Sequence, residues 1–177
     1  NLDGGSGTDS LYGGDGNDTL SQNFGGPNEV MDGGAGTDTG DWTYNSFDNW
    51  TIDLAAGTAQ IGSTVYAQLT SIENVVGGQA ADTIIGNSGA NRLDGQAGND
   101  SLDGGSGTDS LYGGAGNDTL SQNFGGPNEV MDGGTDTDTG DWSYSVGDNW
   151  AIDLAAGTAK IGATTFAQLT SIENVVG

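Results

Sequence analysis

A nine-residue period governs this chain. From Gly77 to Ser121 it divides without a break into five rows: GGQAADTII, GNSGANRLD, GQAGNDSLD, GGSGTDSLY and GGAGNDTLS. Earlier rows are GGSGTDSLY (4–12) and GGDGNDTLS (13–21), and single rows start at Gly33 (GGAGTDTGD) and Gly133 (GGTDTDTGD). The shared pattern is G-G-x-G-x-D-x-U-x, with U a large aliphatic side chain. Position 6 is Asp9, Asp18, Asp38, Asp82, Asp100, Asp109, Asp118 or Asp138, with Asn91 the one amide. Position 8 is Leu11, Leu20, Ile84, Leu93, Leu102, Leu111 or Leu120, and Gly40 or Gly140 in the last rows. Glycine at positions 1, 2 and 4 opens backbone angles closed to other residues, so the first six residues predict a tight turn. The last three, D-x-U, predict a short strand whose alternation sends U to one face. Two rows then make one flattened coil of 18 residues. Successive coils stack at roughly 4.8 Å, and the U side chains form a thin aliphatic core. The fold class expected is all-β, a parallel β-roll or β-helix, and no ten-residue helical pattern occurs.

A longer period is laid over the short one. Residues 1–77 and 101–177 align without a gap and differ at 13 positions, nine of them between residues 43 and 66. The chain divides into nonapeptide rows (1–41), an interrupting segment (42–76), further rows (77–141) and a second interruption (142–177). The in-phase ends suggest a window from a longer tandem array forming one continuous solenoid. Within the rows lies a degenerate stretch, QNFGGPNEVMD (22–32 and 122–132). Counting back from Gly33 puts Met31 in the aliphatic place and Glu29 in the acidic place. Two residues are left over for a bulged loop, where Pro27 and Pro127 suit a turn. In the interruptions, Trp50–Leu54 alternates as a half-buried strand should. Ala55–Thr58 reads as a turn, Ala59–Ile61 as a return strand, and Leu69–Val75 as one strand re-entering the roll. These segments are expected to stack in the same solenoid, with one projecting hairpin. Trp42, Tyr44 and Trp50 have two readings, a plug for a thin core or a face that stacks on glycans.

Charge narrows the function. There are 25 acidic residues against Arg92 and Lys160, a formal net charge of −23, with no histidine and no cysteine. Two cations cannot neutralise a row of phosphates, which excludes nucleic acid as a partner. The same charge opposes anionic membranes, and no apolar run reaches the ~18 residues of a span. Without His or Cys there is no Ser-His or Cys-His pair and no common zinc site. The carboxylates belong to a regular series, so the expectation is a protein that is not an enzyme. Stacked turns would bring those carboxylates within a few ångströms of one another. A hard divalent cation is the natural partner, because Ca²⁺ accepts 6–8 carboxylate and carbonyl oxygens at about 2.3–2.6 Å. Mg²⁺ prefers waters and strict octahedral geometry and suits such turns less well.

The GGxGxDxUx rows resemble the RTX calcium-binding nonapeptide family, and DLAAGTA followed by LTSIENVVG resembles the stretch that interrupts such rows in large RTX proteins. The resemblance implies a calcium-bound β-roll holding several Ca²⁺ ions between neighbouring turns. It assigns the ligands to the position-6 side chains Asp9, Asp18, Asp38, Asp82, Asn91, Asp100, Asp109, Asp118 and Asp138. It adds the turns of Gly5, Gly7, Gly14, Gly16, Gly105, Gly107, Gly114 and Gly116. The implied pairs are Asp82 with Asp100, Asn91 with Asp109, Asp100 with Asp118, and Asp118 with Asp138 across the degenerate row. The family also implies an extracellular or cell-surface location, export from a Gram-negative bacterium by type I secretion, and folding on calcium. The leading expectation is a structural segment of an adhesin, biofilm matrix or filament, with self-association possible. Alternatives are the secretion and folding module of an extracellular protease, lipase or epimerase, or a glycan-binding module.

Overall fold

A computed structural model describes residues 1–22, 25–121, 126–143 and 150–177. Among them the chain forms strands and no helix, and hence no helix long and apolar enough to cross a membrane. The first rows give β1 (Leu2–Asp3), β2 (Ser10–Asp15), β3 (Thr19–Ser21), β4 (Glu29–Ala35) and β5 (Thr39–Asp41). The first interruption gives β6 (Thr51–Asp53), β7 (Thr58–Ile61), β8 (Thr64–Thr70) and β9 (Asn74–Val76). The second set of rows gives β10 (Thr83–Ile85), β11 (Arg92–Asp94), β12 (Ser101–Asp103), β13 (Ser110–Ala115), β14 (Thr119–Ser121), β15 (Glu129–Thr135) and β16 (Thr139–Asp141). The second interruption gives β17 (Trp150–Asp153), β18 (Thr158–Ile161), β19 (Thr164–Thr170) and β20 (Asn174–Val176).

Successive rows alternate between two sheets, β1-β3-β5-β9-β11-β13-β15-β19-β18-β17 and β2-β4-β8-β7-β6-β10-β12-β14-β16-β20. Pairing between rows is parallel. Ile84 faces Leu102 and Leu102 faces Leu120 on one sheet, and Leu93 faces Leu111 on the other, each one 18-residue coil apart. Where the degenerate stretch intervenes the offset becomes 20, as in Leu11 opposite Met31. The coil therefore absorbs the two extra residues without losing phase. Leu20, Ile84, Leu93, Leu102, Leu111, Leu120, Met31 and Met131 are all 0% exposed, which makes the expected thin core. Each such side chain supplies about 1.5–3 kcal/mol of burial. The division into six-residue turns and three-residue strands does not hold everywhere. In β2, β4, β13 and β15 the ladder runs on through the glycines, pairing Gly14 with Gly34 and Gly114 with Gly134.

The interruptions lie in the sheets rather than projecting from them. β8 pairs parallel to β4, β7 antiparallel to β8, β6 antiparallel to β7, and β6 then pairs parallel to β10. On the opposite sheet β5 and β9 meet directly, Gly40 against Val75. One sheet thus carries two strands more than a plain coil would place there, about 10 Å of width. The expected single strand Leu69–Val75 is two strands. Ser71 has φ 49° and turns the chain, so β8 ends in one sheet and β9 begins in the other.

Position 8 is glycine at Gly40 for a reason of space. A Cβ there would lie 2.5 Å from Cζ3 of Trp42, whose ring is 0% exposed. The indole of Trp42 fills the slot that leucine fills in other rows. Trp50 packs on it at 6.2 Å between ring centroids, and Tyr66 meets Trp50 edge-on at 5.5 Å.

The duplication also has a three-dimensional consequence. One 100-residue unit makes nine passes between the sheets: β1 to β5, the β6–β8 meander, then β9 to β11. Nine is odd, so the next copy starts on the other sheet. The first meander therefore lies in one sheet and the second, β17–β19, in the opposite one.

Candidate metal sites along the corners of the roll

Position 6 is the residue just before each strand, so the acidic side chains form one column at each of two corners. They are tied by a repeated hydrogen bond. The backbone N–H of Asp82 donates to Asp100 Oδ1 (2.7 Å), that of Asp100 to Asp118 Oδ1 (2.8 Å), and that of Asp118 to Asp138 Oδ1 (2.8 Å). At the other corner Asp18 donates to Asp38 Oδ1 (2.7 Å) and Asn91 to Asp109 Oδ1 (2.8 Å). All four residue pairs expected from the sequence are adjacent, and Asp118 reaches Asp138 across the degenerate stretch as expected.

The second carboxylate oxygens differ in kind. The Oδ2 atoms of Asp9, Asp38, Asp100, Asp109, Asp118 and Asp138 are buried and have no hydrogen-bond partner among the described residues. Asp82 Oδ2 accepts the Gly78 N–H (2.8 Å) and Asn91 Oδ1 accepts the Asn87 N–H (2.8 Å). The position-6 side chains from Asp38 to Asp138 are buried, whereas Asp9 and Asp18 are half-buried.

The glycines explain how an aspartate is held this way. The carboxylate folds back over the position-1 glycine of its own row. A Cβ on Gly104 would lie 2.7 Å from Asp109 Oδ2, so the site exists only because that residue has no side chain. Position 4 has another reason: Gly107 takes φ 132°, in the left-handed region that glycine reaches without strain. Carbonyl oxygens stack in the same place. The Asn87 and Gly89 carbonyls of one turn face Gly105 and Gly107 of the next, and the Gln96 and Gly98 carbonyls face Gly114 and Gly116.

Burial without a counter-charge raises the pKa of these carboxyls, making them weaker acids. Desolvation pushes Asp100 up to about 7, with the charges of Asp118 and Asp82 adding to it. It lifts Asp109 and Asp118 to about 6, Glu29 to about 7, and Asp82 and Asp138 in the same direction. Among the described residues no cation pairs with these carboxylates. Arg92 pairs with Asp94 at 2.9 Å and lies over the Tyr112 ring at 4.4 Å, the one ion pair among the described residues. Among those residues no three acidic side chains converge on one point. A cation in the column must therefore take carbonyl oxygens as well as carboxylates. Unpartnered buried carboxylate oxygens beside stacked carbonyls fit a hard, oxygen-seeking divalent ion.

Two groups of this site escape a motif search. Glu73 and Glu173 stand in the acidic column: Asp38 N–H donates to Glu73 Oε2 and Asp138 N–H to Glu173 Oε2, both at 2.8 Å. Counting back from Gly77 reveals them, since Val75 then falls at position 8 and Glu73 at position 6. Trp50 likewise stands at position 6, with Ile52 at position 8, and its N–H donates to Asp82 Oδ1 (2.8 Å).

The aromatic face is not formed as a face. Trp42 and Trp50 are 0% and 3% exposed and act as core, while Tyr44 is 56% exposed. A cavity of about 260 Å³ lies beside Trp50 and Tyr66, bordered by Gln22, Asn45 and Asp48. Of its second-copy counterpart, positions 122, 125, 145 and 148 lie outside the described residues.

The family model for the RTX calcium-binding nonapeptide repeat matches the chain in four copies, over residues 1–21, 71–102 and 85–120. No curated protein matches it.

Proposed function

We propose, on the match of residues 1–21 and 71–120 to the RTX calcium-binding nonapeptide repeat, that the chain is a structural segment of a secreted β-solenoid array, an adhesin, biofilm matrix or filament, that folds on calcium after export. The observation that carries this reading is the column of buried, unpartnered carboxylate oxygens in a chain of net charge −23. The residues that would hold calcium are Asp9, Asp18, Asp38, Asp82, Asn91, Asp100, Asp109, Asp118 and Asp138, with the stacked turn carbonyls. Bound there, calcium supplies positive charge and oxygen coordination that the chain itself lacks. Asn91 brings no charge, so its level is the weakest. The aspartates play no catalytic part, since each is one member of the regular position-6 series, and those from Asp18 to Asp138 are tied by the same backbone hydrogen bond.

The mechanism follows from where the charge goes on folding. In the extended chain every carboxylate is hydrated and the self-repulsion is spread out. Folding strips water from the position-6 oxygens and aligns like charges in columns, which is unfavourable alone. Ligand that binds only the folded state reverses the balance, and a site filled at a hundred times its Kd adds about 2.7 kcal/mol. A cytosol poor in calcium would leave the chain extended for export, and millimolar calcium outside would fold it. Circular dichroism should show little β structure in chelator and a cooperative gain on adding calcium. A chelator spectrum equal to the calcium spectrum would refute ion-triggered folding.

A further inference from the structure

We propose that Glu73 and Glu173 each complete a further calcium site, at a corner that has no glycine turn. Glu73 acts with Asp38 and the Ser71 carbonyl, and Glu173 with Asp138 and the Ser171 carbonyl. This rests on the calcium reading above and extends it to residues outside the G-G-x-G-x-D pattern.

The first support is register. The Asp38 N–H to Glu73 Oε2 bond and the Asp138 N–H to Glu173 Oε2 bond, both 2.8 Å, repeat the bond that joins one aspartate to the next in the regular coils. The second is the backbone. In regular coils the position-1 carbonyl of one row lies over the position-1 glycine of the row beneath, as Gly113 lies over Gly95. At the interruption the Ser71 carbonyl takes that place over Gly33, and the Ser171 carbonyl takes it over Gly133. Ser71 and Ser171 adopt φ 49° and 50°, which turns those carbonyls. Ile72 and Ile172 are buried and anchor the corner.

The third support is an oxygen with nothing to bind. Asp38 and Asp138 are 0% exposed, and their Oδ2 atoms have no partner among the described residues. A Cβ built on Gly33 would meet both Asp38 Oδ2 and the Ser71 carbonyl, so the two oxygens border the same small space. The same holds at Gly133 for Asp138 Oδ2 and the Ser171 carbonyl. The corner thus offers the same carbonyl and carboxylate as a full turn with fewer residues. Between Thr70 at position 9 and Glu73 at position 6 stand Ser71 and Ile72 alone, where a regular turn has five residues. The extra methylene of glutamate spans what the shorter corner leaves.

The test is the calcium stoichiometry of the 177-residue chain by titration calorimetry, with folding followed by circular dichroism. Glu73→Gln keeps an oxygen to accept the Asp38 N–H and removes only the charge. The variant should fold in calcium and bind one ion fewer, and adding Glu173→Gln should remove a second. Unchanged stoichiometry and affinity in the folded variants overturn the proposal. A wild-type chain that binds no calcium overturns the calcium reading on which it rests. If Glu73→Gln does not fold in calcium, Glu173→Gln alone decides at the second copy of the corner. A folded Glu173→Gln that binds one ion fewer supports the site, and one that binds as many ions as the parent chain, or also fails to fold, overturns it.

Discussion

Asp100→Asn should stabilise the roll without calcium and destabilise it with calcium. Asp100 is 2% exposed, its Oδ1 accepts the Asp82 N–H at 2.7 Å, and its Oδ2 has no partner among the described residues. Asparagine has the same shape and keeps the first bond. What it removes is a charge that the fold disfavours, for burial lifts the Asp100 carboxyl from 3.8 to about 7. At about 1.4 kcal/mol per pH unit, holding Asp100 ionised in the fold at pH 8 costs on the order of 4 kcal/mol. Asn escapes most of that cost but gives up an oxygen that two neighbouring levels of the column share, toward Asp82 and toward Asp118. In calcium the variant should therefore lose affinity at two adjacent sites. Urea unfolding at pH 8, followed by circular dichroism with chelator and then with saturating calcium, reads both signs. The midpoint should rise in the first condition and fall in the second. A fall in both would mean that the ionised Asp100 carboxylate does not oppose the calcium-free fold, and the charge argument would be wrong.

The same groups set a pH dependence. Asp100, Asp109 and Asp118 have folded pKa values raised above the unfolded 3.8, so the folded state binds more protons. Their contribution to calcium-free stability is full below about pH 4 and is lost as pH rises through about 6 to 7. In chelator the chain should gain β structure between pH 8 and pH 5, and a flat profile would refute the assignment. The calcium midpoint should move to higher concentration over the same range, since binding needs the ionised carboxylate. In the core, Trp42→Ala should cost about 3–5 kcal/mol in calcium. Gly40→Leu, which restores the row pattern, should also destabilise, because the indole already fills that slot. The double variant should recover part of the loss in urea melts, and a neutral Gly40→Leu would show that the slot is open.

How much of this was legible depended on whether a signal was local. The nine-residue period specified strand direction, coil length and a buried position 8, because a parallel coil needs nothing beyond its own repeat. It also placed the aspartates, since turn and strand lie within one row. The meander was only partly legible. Alternation marked β6 and β7, but the choice of pairing β8 to β4 and β6 to β10 is made by tertiary contacts 30 residues or more apart. Leu69–Val75 looked like one strand because both halves are apolar, and only the φ of Ser71 breaks it. Gly40 stands at the aliphatic position 8, and nothing local says that a tryptophan two residues later fills its place. Glu73 was hidden because the corner before it has no glycine, although its phase relative to Gly77 was there to be counted.

The odd number of passes per 100 residues and the position of Glu73 belong to one solution. A three-stranded meander must break the acidic column of the sheet it enters, and it does. Glu29 meets Ala67 in the first copy and Glu129 meets Ala167 in the second. On the far side of the first break Trp50, not an acid, faces Asp82. If successive meanders entered the same sheet, every interruption would sever the same column. Because the copies are related by a half turn, the break falls on alternate corners. At each level the opposite column runs through, from Asp18 to Asp38 to Glu73 beside the first meander and from Asp118 to Asp138 to Glu173 beside the second. The side chain that bridges each gap is the glutamate of the short corner facing the meander. The negative charge is thus arranged so that the column opposite each meander carries an acid at the level of the break, and at the first interruption a cation-bound column can reach from the rows before it to the corner at Glu73.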